Sequence, residues 1–163
     1  MLAVNVLEGN REYLEPYIEF LKQSRIEELM SGLFNILDAG MRYNFNVHEV
    51  LDLFESKINV ATEHYVQIRS LYLTKFFYKL SLYYIVHEDY KVAIEKILQG
   101  LELSNKLNDV TTFRRFSTMF ESFRDYADHV QQKQFTLIMN NTLKEELSHE
   151  KGIYFDGHCI RNC

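Results

Sequence analysis

The chain is short of almost everything that breaks or staples a fold. It has one proline and six glycines in 163 residues, no tryptophan, and two cysteines, Cys159 and Cys163, both at its far end. Proline and glycine punctuate regular structure, so their scarcity favours long uninterrupted helices over a strand-rich fold with many turns. Two cysteines at one end are not a disulfide framework, and a reducing cytoplasm is the expected setting. No run of about 18 apolar residues occurs, so no membrane span is expected. The opening stretch, MLAVNVLEGNREYLE, has neither a basic region nor a long apolar core and does not read as a secretory signal. Basic charge is also short. There are 23 acidic against 18 basic side chains, a formal charge of −5 and a pI near 5.7. A nucleic-acid binder usually carries a basic face and a high pI, so direct DNA or RNA binding is not expected.

Catalytic signatures are missing too. His48-Glu49, His87-Glu88 and His149-Glu150 are His-Glu pairs, but none has the second histidine of the zinc-protease helix. His158, Cys159 and Cys163 can ligate a metal, yet they lack a fourth partner. There is no glycine-rich phosphate loop and no Gly-x-Ser-x-Gly elbow. Glu145 and Glu146 beside His149 read as a solvated helix end. No enzyme, metal or cofactor is expected.

What the chain has is apolar and aromatic mass. Hydrophobic residues make up 47%, with 12 Phe and 11 Tyr, enough for a sizeable core in one domain. Apolar side chains recur at helical spacing almost throughout. A first helix is predicted over 11–23, with Asn10 as its cap and Pro16 tolerated near its start. A second follows over 24–43 with Ser24 as cap, and Gly32 suits a close-packing position. Asn44-Phe45-Asn46 is a break, and Asn46 caps a third helix near 47–57. A fourth, 61–86, is apolar nearly all round and is expected to be buried on most sides. The fifth (90–107) is amphipathic, the sixth (110–126) carries an aromatic face of Phe113, Phe116, Phe120 and Phe123, and a seventh follows over 128–146. Residues 1–147 are read as one helical domain, and 148–163, which lack a helical period, as an irregular tail.

The stretch from Thr74 to Leu107 carries the clearest internal pattern. Its large and small residues fall as in a tetratricopeptide repeat, a helix-turn-helix unit of about 34 residues. Phe77, Leu80, Tyr84 and Ile97 fill the bulky positions, while Ser81, Ala93 and Gly100 fill the small ones; Asn105 stands where the repeat has proline. Small residues let two helix backbones approach, and bulky ones fill the space between. A half-match follows in Phe113, Phe116, Ser117 and Phe120. His129 then occupies the alanine slot, so this second unit is degenerate or a terminal cap. The expected class is all-α: stacked antiparallel helix pairs in a tetratricopeptide-like right-handed solenoid of about seven helices.

Two further stretches carry a resemblance. HEDYKVAIEKILQGLELSNKLND, His87 to Asp109, is followed by FRRFSTMFESF, and EGNREYLEPYIEFLKQS spans Glu8 to Ser24. Together they resemble the repeat region of the Rap/Rgg/PlcR/AimR class of bacterial and phage peptide-pheromone receptors. That resemblance implies a cytoplasmic quorum-sensing receptor that binds a short peptide and changes its grip on a partner. Members of the class that regulate transcription carry an N-terminal DNA-binding helix-turn-helix, and no such element is found here.

In a solenoid of this type the first helix of each pair lines a concave groove. The residues expected there are Lys75, Tyr78 and Leu82, then Thr111, Arg114, Thr118 and Glu121. Asn140 and Asn141 are expected to reach the same side from the last helix. Amides can bind a peptide backbone, Lys and Arg its carboxylates, and Tyr its side chains. The expected partner is therefore a short peptide or a protein. The alternative is a structural domain that homodimerises through the Phe113–Phe123 face, without a peptide ligand.

Overall fold

A computed structural model describes residues 1–48, 50–54 and 66–155, with side chains for 1–25, 27–48, 50–54 and 72–142. Among the described residues the chain is all-α and has no strand. Seven α-helices are delimited: α1 (Leu2–Leu7), α2 (Leu14–Gln23), α3 (Ile26–Tyr43), α4 (Val66–Val86), α5 (Tyr90–Lys106), α6 (Val110–Ser122) and α7 (His129–Phe155). Residues 50–54 form a further helical turn. Short 3₁₀ turns occupy Arg11–Tyr13 and Arg124–Tyr126.

The helix ends follow local chemistry. α4 and α5 meet in a tight turn in which the Asp89 amide donates to Tyr84 O at 2.9 Å and the Glu88 amide to Ile85 O at 3.0 Å. Glu88 takes the left-handed conformation, φ 60°, that such a helix end requires. The Asp89 carboxylate then accepts from the Val92 amide and starts α5. The same device recurs between α5 and α6. Asn108 is left-handed at φ 54°, the Asp109 amide donates to Ser104 O, and the Asp109 carboxylate accepts from the Thr112 amide at 3.0 Å. Asn44, at φ 57°, ends α3, and Arg11 donates to the Tyr43 and Asn44 carbonyls there. A cation at a helix C-terminus meets the negative end of the backbone dipole.

Several expectations need correction. α1 precedes the predicted first helix, which splits into the 3₁₀ turn and α2. The Asn10 side chain does not cap it but donates to Asn5 Oδ1. Ser24 ends α2 rather than starting α3: its hydroxyl donates back to Phe20 O, and Arg25 holds the cap position. Asn46 does cap the turn after it, accepting from the His48 amide. α4 is described from Val66 onward; residues 49, 55–57 and 61–65 of the predicted third and fourth helices lie outside the described residues. α7 continues to Phe155, so residues 148–155 are helical, not irregular. The helix runs on without an apolar period to signal it, through Gly152 and other residues of modest helix propensity. Residues 156–163, with His158, Cys159 and Cys163, lie outside the described residues. The connection from α6 to α7 spans 123–128 and is longer than the turn at 87–89. Positions read across from α5 to α7 therefore slip, and His129, the supposed alanine slot, is the exposed first residue of α7.

Two cores share α4. The N-terminal core gathers Tyr17, Ile18 and Leu21 of α2, Leu29, Met30, Leu33, Ile36 and Leu37 of α3, Phe54, and Phe76, Leu80 and Tyr83 of α4. The C-terminal core gathers Ile94, Ile97, Leu98 and Leu101 of α5, Phe113, Phe116 and Phe120 of α6, and Phe135 and Ile138 of α7. Phe77 of α4 packs against both. α4 is thus apolar on two sides because it walls two cores. Of its described apolar side chains, only Val86 is exposed. Two side chains tie α4 to the end of α3. The buried Tyr83 hydroxyl donates to Phe45 O at 3.3 Å, and burial pushes its pKa up. The His87 ring lies tilted against Tyr83, centroids 4.1 Å apart, and its ring nitrogens lie 2.8 Å from Tyr83 O and 2.9 Å from Asn44 Oδ1.

Close approach is decided by glycine at two positions. A Cβ on Gly32 would lie 2.3 Å from Leu21 Cδ2, so α2 sits directly against α3. A Cβ on Gly100 would lie 2.1 Å from Phe116 Cζ, so the ring of α6 rests on the backbone of α5. The other expected small residues, Ser81 and Ala93, are also buried. α7 runs in the same direction as α5: the Gln131 amide donates to Lys91 O, that of Gln134 to Glu102, and the Thr142 hydroxyl to Asn105. Phe120 of α6 and Phe135 of α7 stack face to face at 4.0 Å.

These contacts give two expected outcomes. Gly100→Val should lower stability by about 1–3 kcal/mol in urea unfolding, because the fully buried Phe116 ring has nowhere to move; an unchanged midpoint would show that the helices separate freely. The Asp109 carboxyl is held below the ordinary carboxylate range, chiefly by the Thr112 hydroxyl and then by its amide. The unfolded chain thus takes up that proton at higher pH than the folded chain. The cap's contribution is full above the ordinary carboxylate pKa and is lost as pH falls through the lowered folded value. Asp109→Asn, which caps without titrating, should show a flatter loss of stability on acidification than wild type.

Candidate functional site

α4 and α6 are each packed on α5 and run side by side in the same direction. They touch where Tyr78 meets the Phe116 ring edge-on at 6.0 Å. Alongside this contact the two helices leave an open groove of about 550 Å³, within the range of small-ligand pockets. Its α4 wall is Tyr78, Leu82 and Ile85; its α6 wall is Arg114, Arg115, Thr118, Met119 and Ser122, with Phe123 at the end. Helical spacing explains both walls. Tyr78, Leu82 and Ile85 step by four and three, and so do Arg115, Met119 and Ser122, so each set lies along one helix face.

The polar groups of the groove have distinct states. The Thr118 hydroxyl donates to Arg114 O and the Ser122 hydroxyl to Thr118 O, both at 3.0 Å, so both donors are spent inside α6. The Arg114 and Arg115 side chains are exposed, and neither forms an ion pair with another described residue. Arg115 exerts a weak pull on Asp109 at the start of α6. No acidic residue is among the described lining residues.

Of the residues expected to form a groove, Tyr78, Leu82, Arg114 and Thr118 are brought together here. Three are not. Lys75 is exposed one turn before Tyr78 and does not line the groove. Glu121 is exposed and pairs with Arg124 at 3.4 Å. Asn140 lies on α7 in a separate surface hollow with His129, Gln132, Lys133, Thr136 and Leu137. The cause is that α7 docks along α5, away from the α4 side of α6. Thr111 and Asn141 are exposed and outside the groove. Sequence reasoning missed Ile85, Arg115, Met119, Ser122 and Phe123. Following the four-then-three step onward from Leu82 would have reached Ile85, and the Arg114-Arg115 pair was visible as a dipeptide.

The aromatic face of α6 has a different role from the one expected. Phe113, Phe116 and Phe120 are buried within the chain against α5 and α7, so that face is not free to pair with a second copy. A second hollow, of about 420 Å³, lies between α6 and α7, where Phe113, Ser117 and Met139 meet Asp109 and Thr142. Arg114 and Thr118 border both hollows. Among the described residues no cluster of three or more His, Cys, Asp or Glu side chains is placed to hold a metal, and no helix is long and apolar enough to cross a membrane.

Comparison with known protein families, with curated proteins and with solved structures finds no match for the chain.

Proposed function

We propose that the chain is a peptide- or protein-binding helical repeat domain, with α4–α5 and α6–α7 as two tetratricopeptide-like hairpins stacked in a solenoid. On this reading it acts in the cytoplasm as a regulatory receptor for a short signalling peptide, as in quorum sensing, and it passes the signal on through a protein partner. The observation that carries the proposal is the groove. Tyr78, Leu82, Arg114 and Thr118, chosen from repeat spacing alone, line one hollow between the first helices of the two hairpins. An open trough with apolar walls and hydrogen-bond donors at its mouth suits an extended peptide. Binding of a randomised pool of blocked hexapeptides by the full-length chain tests this. Tyr78→Ala and Arg114→Ala should each reduce binding while circular dichroism stays unchanged. Undiminished binding in both variants sinks the groove assignment, and no binding by wild type sinks the peptide reading.

A second reading, homodimerisation, is favoured by one observation on α7. Val130 and Leu137, two helical turns apart, are 72% and 60% exposed. Isolated apolar residues on a surface are common, but two on one helix face form a stripe suited to a partner helix. Light scattering should then give a dimer mass that falls to the monomer in Leu137→Lys; a wild-type monomer rules this reading out.

A further inference from the structure

The groove between α4 and α6 is chemically lopsided along its length. Tyr78, Arg114 and Arg115 stand at one end, and Ile85, Ser122 and Phe123 at the other. Tyr78 and Ile85 on one wall, like Arg115 and Ser122 on the other, are seven residues apart. At the helical rise the two ends are therefore separated by about 11 Å. A polyproline-II chain rises about 3.1 Å per residue with three residues per turn, so it covers roughly that distance in three residues and returns the side chain to the same face. At the basic end the polar groups offer donors: two guanidinium groups and a phenol. Thr118 and Ser122 have spent their donors inside the helix. The chain as a whole carries five more acidic than basic side chains, yet no acid is among the described residues lining this groove. Two exposed cations without an ion-pair partner among the described residues, beside an apolar trough, complement an anion attached to an apolar group.

We propose, resting on the peptide-binding reading above, that the groove selects a segment of a partner polypeptide in the extended polyproline-II conformation, carrying an acidic side chain and a bulky apolar side chain three residues apart and so on one face. The carboxylate lies between Arg114 and Arg115. The apolar side chain lies on Ile85, Met119 and Phe123. The groove is open along its length, so the segment passes through it and the carboxylate comes from a side chain rather than a chain end. The matching four-and-three steps of the two walls thus set the distance between the basic end and the apolar end.

The test uses the full-length chain and pools of labelled hexapeptides with both ends blocked. One pool holds glutamate and leucine three residues apart, in either order, with the other positions randomised. Matched pools replace the glutamate by glutamine, replace the leucine by serine, or set the two side by side. The first pool should bind about tenfold more tightly than the glutamine pool. That preference should shrink as salt is raised and vanish in the double variant Arg114→Gln/Arg115→Gln, whose exposed positions leave the helices intact by circular dichroism. Equal binding of the glutamine pool overturns the acidic selection and leaves the peptide reading standing. Equal binding of the side-by-side pool overturns the spacing. Tighter binding of peptides with a free C-terminus overturns the side-chain source. A preference that survives in the double variant removes the arginines from the site. If no pool binds wild type at all, the peptide reading itself fails.

Discussion

The missing side chain at Gly100 is the constraint on which the C-terminal half depends. It lets the Phe116 ring lie on the backbone of α5. With the ring seated there, α6 is held at a fixed distance from α5, and its other aromatic residues are drawn into the same core. The same ring also meets Tyr78 in a T-shaped contact. Phe116 therefore connects α5, α6 and α4 at one point, and the groove runs alongside the contact. A bulkier residue at position 100 would push α6 off α5 and disturb the α4 contact with it.

α4 extends this order to the rest of the molecule. Most amphipathic helices cover one core and face water on the other side. α4 covers two, with Phe76, Leu80 and Tyr83 on one and Phe77 and Tyr78 towards the other. Its C-terminal end is fixed to the 44–47 turn by Tyr83 and His87. Lys79 forms an ion pair with Asp38 of α3 and lies over the Phe34 ring. A partly exposed pair of this kind adds little stability by itself; the rotation of α4 about its axis follows from the burial of Phe76, Leu80 and Tyr83 in one core and of Phe77 and Tyr78 towards the other. That rotation turns Tyr78, Leu82 and Ile85 towards α6. The positioning of one groove wall thus depends on contacts made by the N-terminal half.

The groove's electrostatics arise from how neighbouring charges are occupied. Glu121 is next to the groove in sequence but is turned to Arg124. Asp109 accepts from Thr112 as the cap of α6. With these nearby acids engaged elsewhere, Arg114 and Arg115 stand as cations on an otherwise acidic chain. Among the described residues every buried side-chain nitrogen and oxygen has a hydrogen-bond partner, so the interior leaves no polar group in want of a ligand. The unmet capacity lies at the surface, at the groove mouth.

Much of this was legible in the residues. The helices, the breaks at 44–46 and 87–89, the Asn46 cap and the close-packing roles of Gly32 and Gly100 follow from spacing and local backbone chemistry. Helix formation depends on neighbours within a few residues, and those neighbours are in the sequence. Errors came where a polar side chain had two local choices, as with Ser24, or where a helix without an apolar stripe simply continued, as with α7 beyond residue 147. The groove was half legible, because repeat spacing can assign a residue to a helix face but not decide what that face meets. That Asn140 is carried away from Arg114, that the phenylalanines of α6 are buried inside the chain, and that Arg115 joins Arg114 at the groove were decided by the docking of α6 and α7 on α5. Those contacts join residues tens of positions apart, and their geometry exists only once the helices are packed. The sequence by itself determined an all-helical chain and where its helices turn; only the tertiary structure decided which faces were left open to a partner.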